Sequence, residues 1–291
     1  MAITRHCSGT RSISLEEFVS QVADTIDPQD EASLAEAAPL LHALANDREL
    51  VVRHLNRHVE AQFKRGVIPS AQAILLAEHE RFYVRANVWP SNADIAAGRI
   101  YQEQFSYDVA HDHNFSFLTV PYFGPGYETE IHEYDHDRVT GYIGEPVELR
   151  FLERTAFGGD MVMLYRASRD VHVQYPPAEM SITLNLLVSP PEARMREQYY
   201  FDLGSQTVSG YPDESDTSKR QSFFDIASRI GNADTRQLFD DLSRLHPSPR
   251  TRLNATEAVE RMDPQAPAWE RACDDPAELV RRVARQKLAQ R

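Results

Sequence analysis

Two histidines separated by one residue, His111 and His113, stand in the stretch FSYDVAHDHNFSFLTV. On a β-strand, residues two apart point to the same face, so two imidazoles at this spacing make a two-point claw for a metal ion. The aromatic and β-branched residues around them (Phe105, Tyr107, Val109, Phe115, Phe117, Val120) favour a strand over a helix. A catalytic first-row metal needs a third ligand, and imidazole suits iron, copper, nickel or zinc better than magnesium or calcium. His172 is the best candidate. It follows a turn at Gly158–Gly159–Asp160, a strand Met161–Tyr165 and a short loop. A surface His-x-His without a metal is the competing reading of the same residues.

His111-x-His113, a Gly124–Pro125–Gly126 turn, then Gly159–Asp160 and a histidine a dozen residues on resemble the two-part signature of the cupin superfamily. Within it the chain looks most like the cysteine, or thiol, dioxygenases. Those enzymes carry a Tyr-x-Arg strand before an HDH motif; here YVRAN supplies Tyr83 and Arg85, with Arg85 standing 26 residues before His111. The resemblance implies three histidines (His111, His113, His172) around Fe(II), O2 as co-substrate, and an arginine, Arg85, that grips a substrate carboxylate. It also points to Tyr83, and to Asn185 on a late strand, as catalytic positions. The family's serine, histidine and tyrosine at alternate places on that strand are replaced by Ser181, Thr183 and Asn185, which puts cysteine itself in doubt as the substrate.

Ordinary cupins place a glutamate four or five residues after the second histidine. Phe117 and Leu118 occupy those places, which favours a shell of three histidines alone. Glu128, Glu130 and Glu133 stand as fallback ligands, their orientation set by the register of the preceding turn. Three neutral imidazoles leave more positive charge at the metal than a carboxylate shell would, so a substrate bringing a thiolate, carboxylate or enolate is favoured. Arg85 would hold a carboxylate through two parallel charge-assisted hydrogen bonds. Its competing reading is a salt bridge to Asp108 or Asp135. Tyr134 and Tyr175, with Tyr165, are candidates to line the mouth over the substrate; the alternative is core tyrosines whose hydroxyls bond the backbone.

The elements that must position these residues follow from the texture of the chain. Residues 1–70 read as a helical segment: Ser14 and Glu17 make a capping box before Leu15, Phe18, Val19 and Val22, and further helices are expected at Glu31–Ala45 and Arg48–Lys64. His54 and His58 stand four apart on the last of these, where a charged surface is the favoured reading over a metal pair. Residues 71–203 carry eight short strand patterns separated by Gly, Pro and Asp turns: Phe82–Val88, Tyr107–His113, Phe115–Tyr122, Tyr127–Tyr134, Val147–Phe151, Met161–Tyr165, Val171–Tyr175 and Ser181–Ser189. That number suggests a mainly β, double-stranded β-helix (jelly-roll) barrel of the cupin type, flanked by N-terminal and C-terminal helices. Residues 204–291 return to helix, with Phe223–Ile230 and Arg236–Leu245. A weak repeat follows, HPSPRTRLNATEAV from His246 and DPAELVRRVARQKL from Asp275, which looks like HEAT-type pairs or a helical cap.

The chain has 291 residues, 42% hydrophobic and 26% charged, with a net charge of −13. It is long enough to bury a full core, and its acidity argues against nucleic acid or an anionic membrane as the main partner. Cys7 and Cys273 make no disulfide framework, and no apolar run has signal-peptide or membrane-spanning length. A cytoplasmic protein is expected. The expected partner is a small-molecule carboxylate, with either a second copy or another protein met through the C-terminal helices. Three functions stay open: a non-heme iron dioxygenase, a metal-dependent lyase or isomerase on the same shell, and a non-catalytic cupin with a helical interaction region.

Overall fold

The computed structural model describes residues 3–65, 72–98, 100, 105–188, 190, 193–212 and 216–290. The chain divides into two compact units, Met1–Asp135 with Glu148–Arg194, and His136–Val147 with Met195–Arg291.

Among its described residues the first unit contains ten strands: β1 (Ile3–His6), β2 (Ala73–Glu78), β3 (Phe82–Trp89), β4 (Ala110–His111), β5 (Ser116–Phe123), β6 (Tyr127–Glu133), β7 (Arg150–Phe157), β8 (Met161–Tyr165), β9 (Asp170–Tyr175) and β10 (Ser181–Val188). One sheet runs β1-β8-β5-β10-β3-β2; within this unit the other runs β4-β9-β6-β7, and every pairing named is antiparallel. Its helices are α1 (Leu15–Thr25), α2 (Glu31–Glu36), α3 (Ala38–Ala45), α4 (Leu50–Arg65) and α5 (Asn92–Ala96). The architecture is a double-stranded β-helix (jelly roll) of two antiparallel sheets with flanking helices.

Period-two alternation sorts the first sheet into two faces. Phe82, Val84 and Ala86 of β3, Leu118 and Val120 of β5, Val162 and Leu164 of β8, and Leu184 and Leu186 of β10 pack with Phe18, Val22, Leu41 and Leu44 of the helices. The residues between them, Trp89, Phe117, Met163, Tyr165 and Leu187, pack with Tyr127, Ile131 and Phe157 of the second sheet. The N-terminal helices therefore cover the outer face, and the space between the sheets is left to line a site. α1 starts where its cap predicts, Ser14 Oγ accepting from Glu17 N at 3.0 Å. The β5–β6 turn requires glycine at 126: φ is +87°, and a Cβ there would collide with the Phe157 carbonyl.

Three sequence expectations are corrected. The helix expected over Glu31–Ala45 is two helices meeting at Ala37, because Pro39 sits in the first turn of α3, where its missing N–H costs nothing. The strand expected at Val147–Phe151 runs instead from Arg150 to Phe157. The strand expected over Tyr107–His113 shrinks to Ala110–His111, after Asp108 with φ +59° interrupts the extended run. His113 thus enters from the loop after the strand rather than from the strand face. Ser189, the last residue of one expected strand, and the side chain of His58 lie outside the described residues.

The second unit holds a short hairpin, β11 (Tyr200–Asp202) and β12 (Thr207–Gly210), then α6 (Asp216–Ile230), α7 (Ala233–Leu245), α8 (Pro249–Met262), α9 (Ala268–Ala272) and α10 (Glu278–Ala289). The sequence repeat has a structural counterpart. Arg252 Nη1 donates to the carbonyls of His246 and Pro247, and Arg281 Nη1 to those of Asp275 and Pro276, at the same sequence offsets. Each arginine locks the turn that enters its helix. None of the described helices is long and apolar enough to cross a membrane.

Candidate metal centre

His111, His113 and His172 converge between the two sheets, each offering one nitrogen, and these three atoms lie within 4.8 Å of one another. β-Sheet register explains the first contact, since His111 of β4 stands directly opposite His172 of β9. Ring centroids are 4.4 Å apart for His111 and His172, 5.0 Å for His111 and His113, and 5.1 Å for His113 and His172. His113 is anchored through its backbone, its carbonyl accepting from Ser168 N at 2.7 Å. Between His111 and His113, Asp112 is fully buried and accepts from the Tyr134 hydroxyl at 2.7 Å.

The electrostatics favour neutral imidazoles. Burial holds His111 below its ordinary range against the opposing pull of the Val109 carbonyl. Burial, with the proximity of His111 and His113, holds His172 well below it. A carbonyl only accepts, so neutral His111 donates Nδ1–H to Val109 O at 2.9 Å and keeps the lone pair on Nε2. Nδ1 of His172 is buried with no hydrogen-bond partner. Three clustered imidazoles, two of them held toward the neutral form by burial and one of those with an orphaned ring nitrogen, fit a divalent metal ion by donor chemistry.

An aromatic wall surrounds the cluster. Phe115 stacks on His113 at 4.5 Å, Phe117 stacks on Tyr165 at 4.8 Å, and Tyr165 meets His172 edge-on at 4.7 Å. Arg85 stands over the Phe115 ring at 5.9 Å, and the same ring stacks on His113. The salt-bridge reading of Arg85 finds no support: among described residues no carboxylate pairs with it, and its Nε is buried without a partner. Desolvation alone brings its pKa down to about 10, which leaves it charged at neutral pH. Asn185 is its direct cross-strand neighbour, buried with Oδ1 unpartnered. Tyr83 lies two residues before Arg85 on the same face and packs at the edge of the inter-sheet core.

Tyr134 and Tyr175 are not brought to the mouth. Tyr134 is buried behind the His111–His113 segment, bonded to Asp112. Tyr175 lies on the opposite face of β9 from His172, by strand alternation, where its hydroxyl donates to Glu130 and its ring carries Arg154. The three glutamates are also committed elsewhere: Glu128 to Arg154, Glu130 to His132, Tyr175 and Arg154, and Glu133 to Arg150, Arg169 and Arg166.

Sequence reasoning passed over Asn87 and Gln174. Asn87 lies two residues after Arg85 and Gln174 two after His172, each buried on the inward face with its side-chain oxygen unpartnered. Their signal was a polar residue at an inward position of an otherwise apolar strand.

No protein-family model matches the chain, and no curated protein matches it. Solved structures that it matches include hydroquinone 1,2-dioxygenase from Sphingomonas sp. TTNP3 with 4-hydroxybenzoate bound, at 10% identity and TM-score 0.27, covering 42% of this chain and 68% of that one. Another is an uncharacterized conserved protein with a double-stranded beta-helix domain from Klebsiella pneumoniae subsp. pneumoniae MGH 78578, at 11% and 0.25, covering 47% and 90%. A third is the DMSP lyase DddQ from Ruegeria pomeroyi DSS-3, at 14% and 0.24, covering 41% and 47%. Likenesses this distant carry nothing about reaction or substrate; the fold rests on the strand order and the site on its own geometry.

Proposed function

We propose that this protein is a non-heme Fe(II)-dependent dioxygenase of the cupin class acting on a small amino-acid-like or thiol-bearing carboxylate. The observation that carries the reading is a pair of mutually suited features lining the space between the two sheets: three clustered histidines from the second sheet and its following loop, and on β3 of the first sheet a desolvated arginine with no carboxylate of its own among the described residues. His111, His113 and His172 would hold the metal. Bound there, divalent iron would supply the activation of O2. Arg85 would fix the substrate carboxylate with its two-pronged guanidinium, held over the Phe115 ring that also contacts His113. Asn185 Oδ1, beside Arg85, would accept a hydrogen bond from an ammonium or hydroxyl on the same substrate. Tyr83 would offer a phenolic proton from the same strand. Phe115, Phe117 and Tyr165 would exclude water from the reacting atoms.

Oxygen uptake is the test. Protein loaded anaerobically with Fe(II) is mixed with aerated buffer and a panel of amino-acid, hydroxy-acid and thiol carboxylates. Substrate-dependent O2 consumption that disappears with His172→Ala supports the dioxygenase. Turnover of a carboxylate without O2 uptake would move the protein to the lyase or isomerase class on the same three histidines.

A further inference from the structure

Between the sheets, three buried amides are left unsatisfied among the described residues. Asn87 of β3, Asn185 of β10 and Gln174 of β9 are 7%, 2% and 4% exposed, and the side-chain oxygen of each lacks a hydrogen-bond donor. Their polar neighbours are spent inside the protein. Trp89 Nε1 donates to Thr183 Oγ1 at 3.0 Å, the Tyr107 hydroxyl to Pro90 O at 2.8 Å, and Thr129 Oγ1 to Val173 O at 3.0 Å. Buried carbonyl oxygens are costly without a donor, so three of them in one space point to a ligand that supplies it.

Register gives the direction in which that ligand extends. Asn185 stands directly opposite Arg85. Asn87 follows Arg85 by two residues and Gln174 follows His172 by two, and both steps run toward the end where the Trp89 and Tyr127 rings meet at 4.7 Å. The step along β3 is about 6.5 Å from the rise per residue. A carboxylate held by Arg85 therefore needs a tail of several carbons to reach Asn87.

The amides also set the chemistry of the tail. A primary amide presents an acceptor at one end and two donors at the other, and a hydroxyl suits both ends because it donates and accepts. An ammonium suits the oxygens alone and places a second positive charge near Arg85. Strands β3, β5 and β10 carry no Asp or Glu to balance it. In the second sheet, Glu133 and Asp170 lie on the other side of His172 from Gln174 and pair with arginines, and Glu153 stands on the edge strand β7.

We propose that the substrate carboxylate bears a polyhydroxylated tail, whatever group it presents to the metal, and that Asn185, Asn87 and Gln174 bind its hydroxyls. The inference rests on the carboxylate reading of Arg85 above and is independent of the reaction that follows.

Isothermal titration calorimetry of the full chain, loaded with Fe(II) and kept anaerobic, tests it with two six-carbon acids. Gluconate and 2-hydroxyhexanoate offer the metal the same groups and differ only in the hydroxyls of the tail. Gluconate should bind at least about tenfold more tightly. Asn87→Leu and Gln174→Met should each bring that ratio toward one, without weakening 2-hydroxyhexanoate and without lowering melting temperature or metal content. Equal affinity of the parent for the two acids, a ratio that both variants preserve, or no binding of either acid would overturn the proposal. So would 6-aminohexanoate exceeding hexanoate by more than gluconate exceeds 2-hydroxyhexanoate, because the tail would then be cationic. Arg85→Met separates this inference from the reading beneath it. Gluconate binding that survives Arg85→Met but still falls with Asn87→Leu would support the amide site and remove the carboxylate clamp, whereas equal binding of both acids that Arg85→Met abolishes would keep the clamp and remove the hydroxylated tail.

Discussion

His111 and His172 are directly opposed residues of the β4–β9 ladder, their rings 4.4 Å apart, although 60 residues separate them in the chain. The sheet itself, rather than a flexible loop, brings two of the three imidazoles together. Substitutions in the side chains that hold the third should therefore loosen the site without unfolding the barrel.

Tyr134 is the clearest of these. Tyr134→Phe removes the hydroxyl that donates to the fully buried Asp112, and loss of such a bond costs on the order of 1–3 kcal/mol. The variant should melt lower and bind metal more weakly, as read by thermal denaturation and a chelator competition. Unchanged metal affinity would show that Asp112 does not set the geometry of the His111–His113 segment.

Arg85 should behave as a functional cation held at a cost to stability. Replacing it by methionine should raise the melting temperature of the metal-free protein, because a desolvated charge without a partner is removed. Carboxylate binding should be lost. Arg85→Lys keeps the charge but not the fork, so affinity should fall roughly tenfold to a hundredfold. Since the folded-state pKa is about 10, carboxylate binding by the parent should also decline as pH rises through that value. A lower melting temperature in Arg85→Met with unaltered carboxylate binding would identify a structural residue instead.

Glu133 should matter to acid stability and not to metal. Desolvation pushes its carboxyl up, but Arg169 and Arg150 outweigh this and hold it at about 2. Its folded pKa lies below its unfolded value, so it stabilises above the unfolded value and loses that contribution as pH falls toward 2. Glu133→Gln should therefore lower stability at neutral pH and flatten the acid limb of a pH–melting curve, while keeping its metal. Glu128→Gln and Glu130→Gln should keep theirs too, and metal loss in any one would place a carboxylate in the shell.

The clustering of the three histidines was legible in the sequence because histidine is conspicuous where strand patterns alternate. Their exact approach was not. The run around His111 reads as one long strand, but a left-handed backbone at Asp108 shortens it, and only tertiary contact places His113. Tyr134 and Tyr175 were misplaced for a related reason: a tyrosine pattern says that a ring is buried or half-buried, not which side of the sheet it faces. Register decided that, through the pairing of Glu128 with Tyr175 and of Ile131 with His172. The break at Ala37 turned on one proline within an otherwise helical period.

In the second unit, the buried Arg252–Asp275 pair gives an independent check on the repeat. Both side chains are 7% exposed, and removing one partner of such a pair costs about 3–5 kcal/mol. Arg252→Met should destabilise the chain far more than Arg281→Met, whose partner Glu278 is half exposed. Urea denaturation showing equal effects would mean that the two turn-locking arginines contribute only through their carbonyl bonds.

Metal content of anaerobically purified protein tests the central claim most directly. About one divalent first-row metal per chain is expected by elemental analysis, as for other three-ligand catalytic sites. His111→Ala, His113→Ala and His172→Ala should each be largely empty while retaining the far-ultraviolet circular dichroism of the parent. Metal undiminished in all three variants, or a folded parent that takes up none from buffer containing Fe(II), would contradict the account.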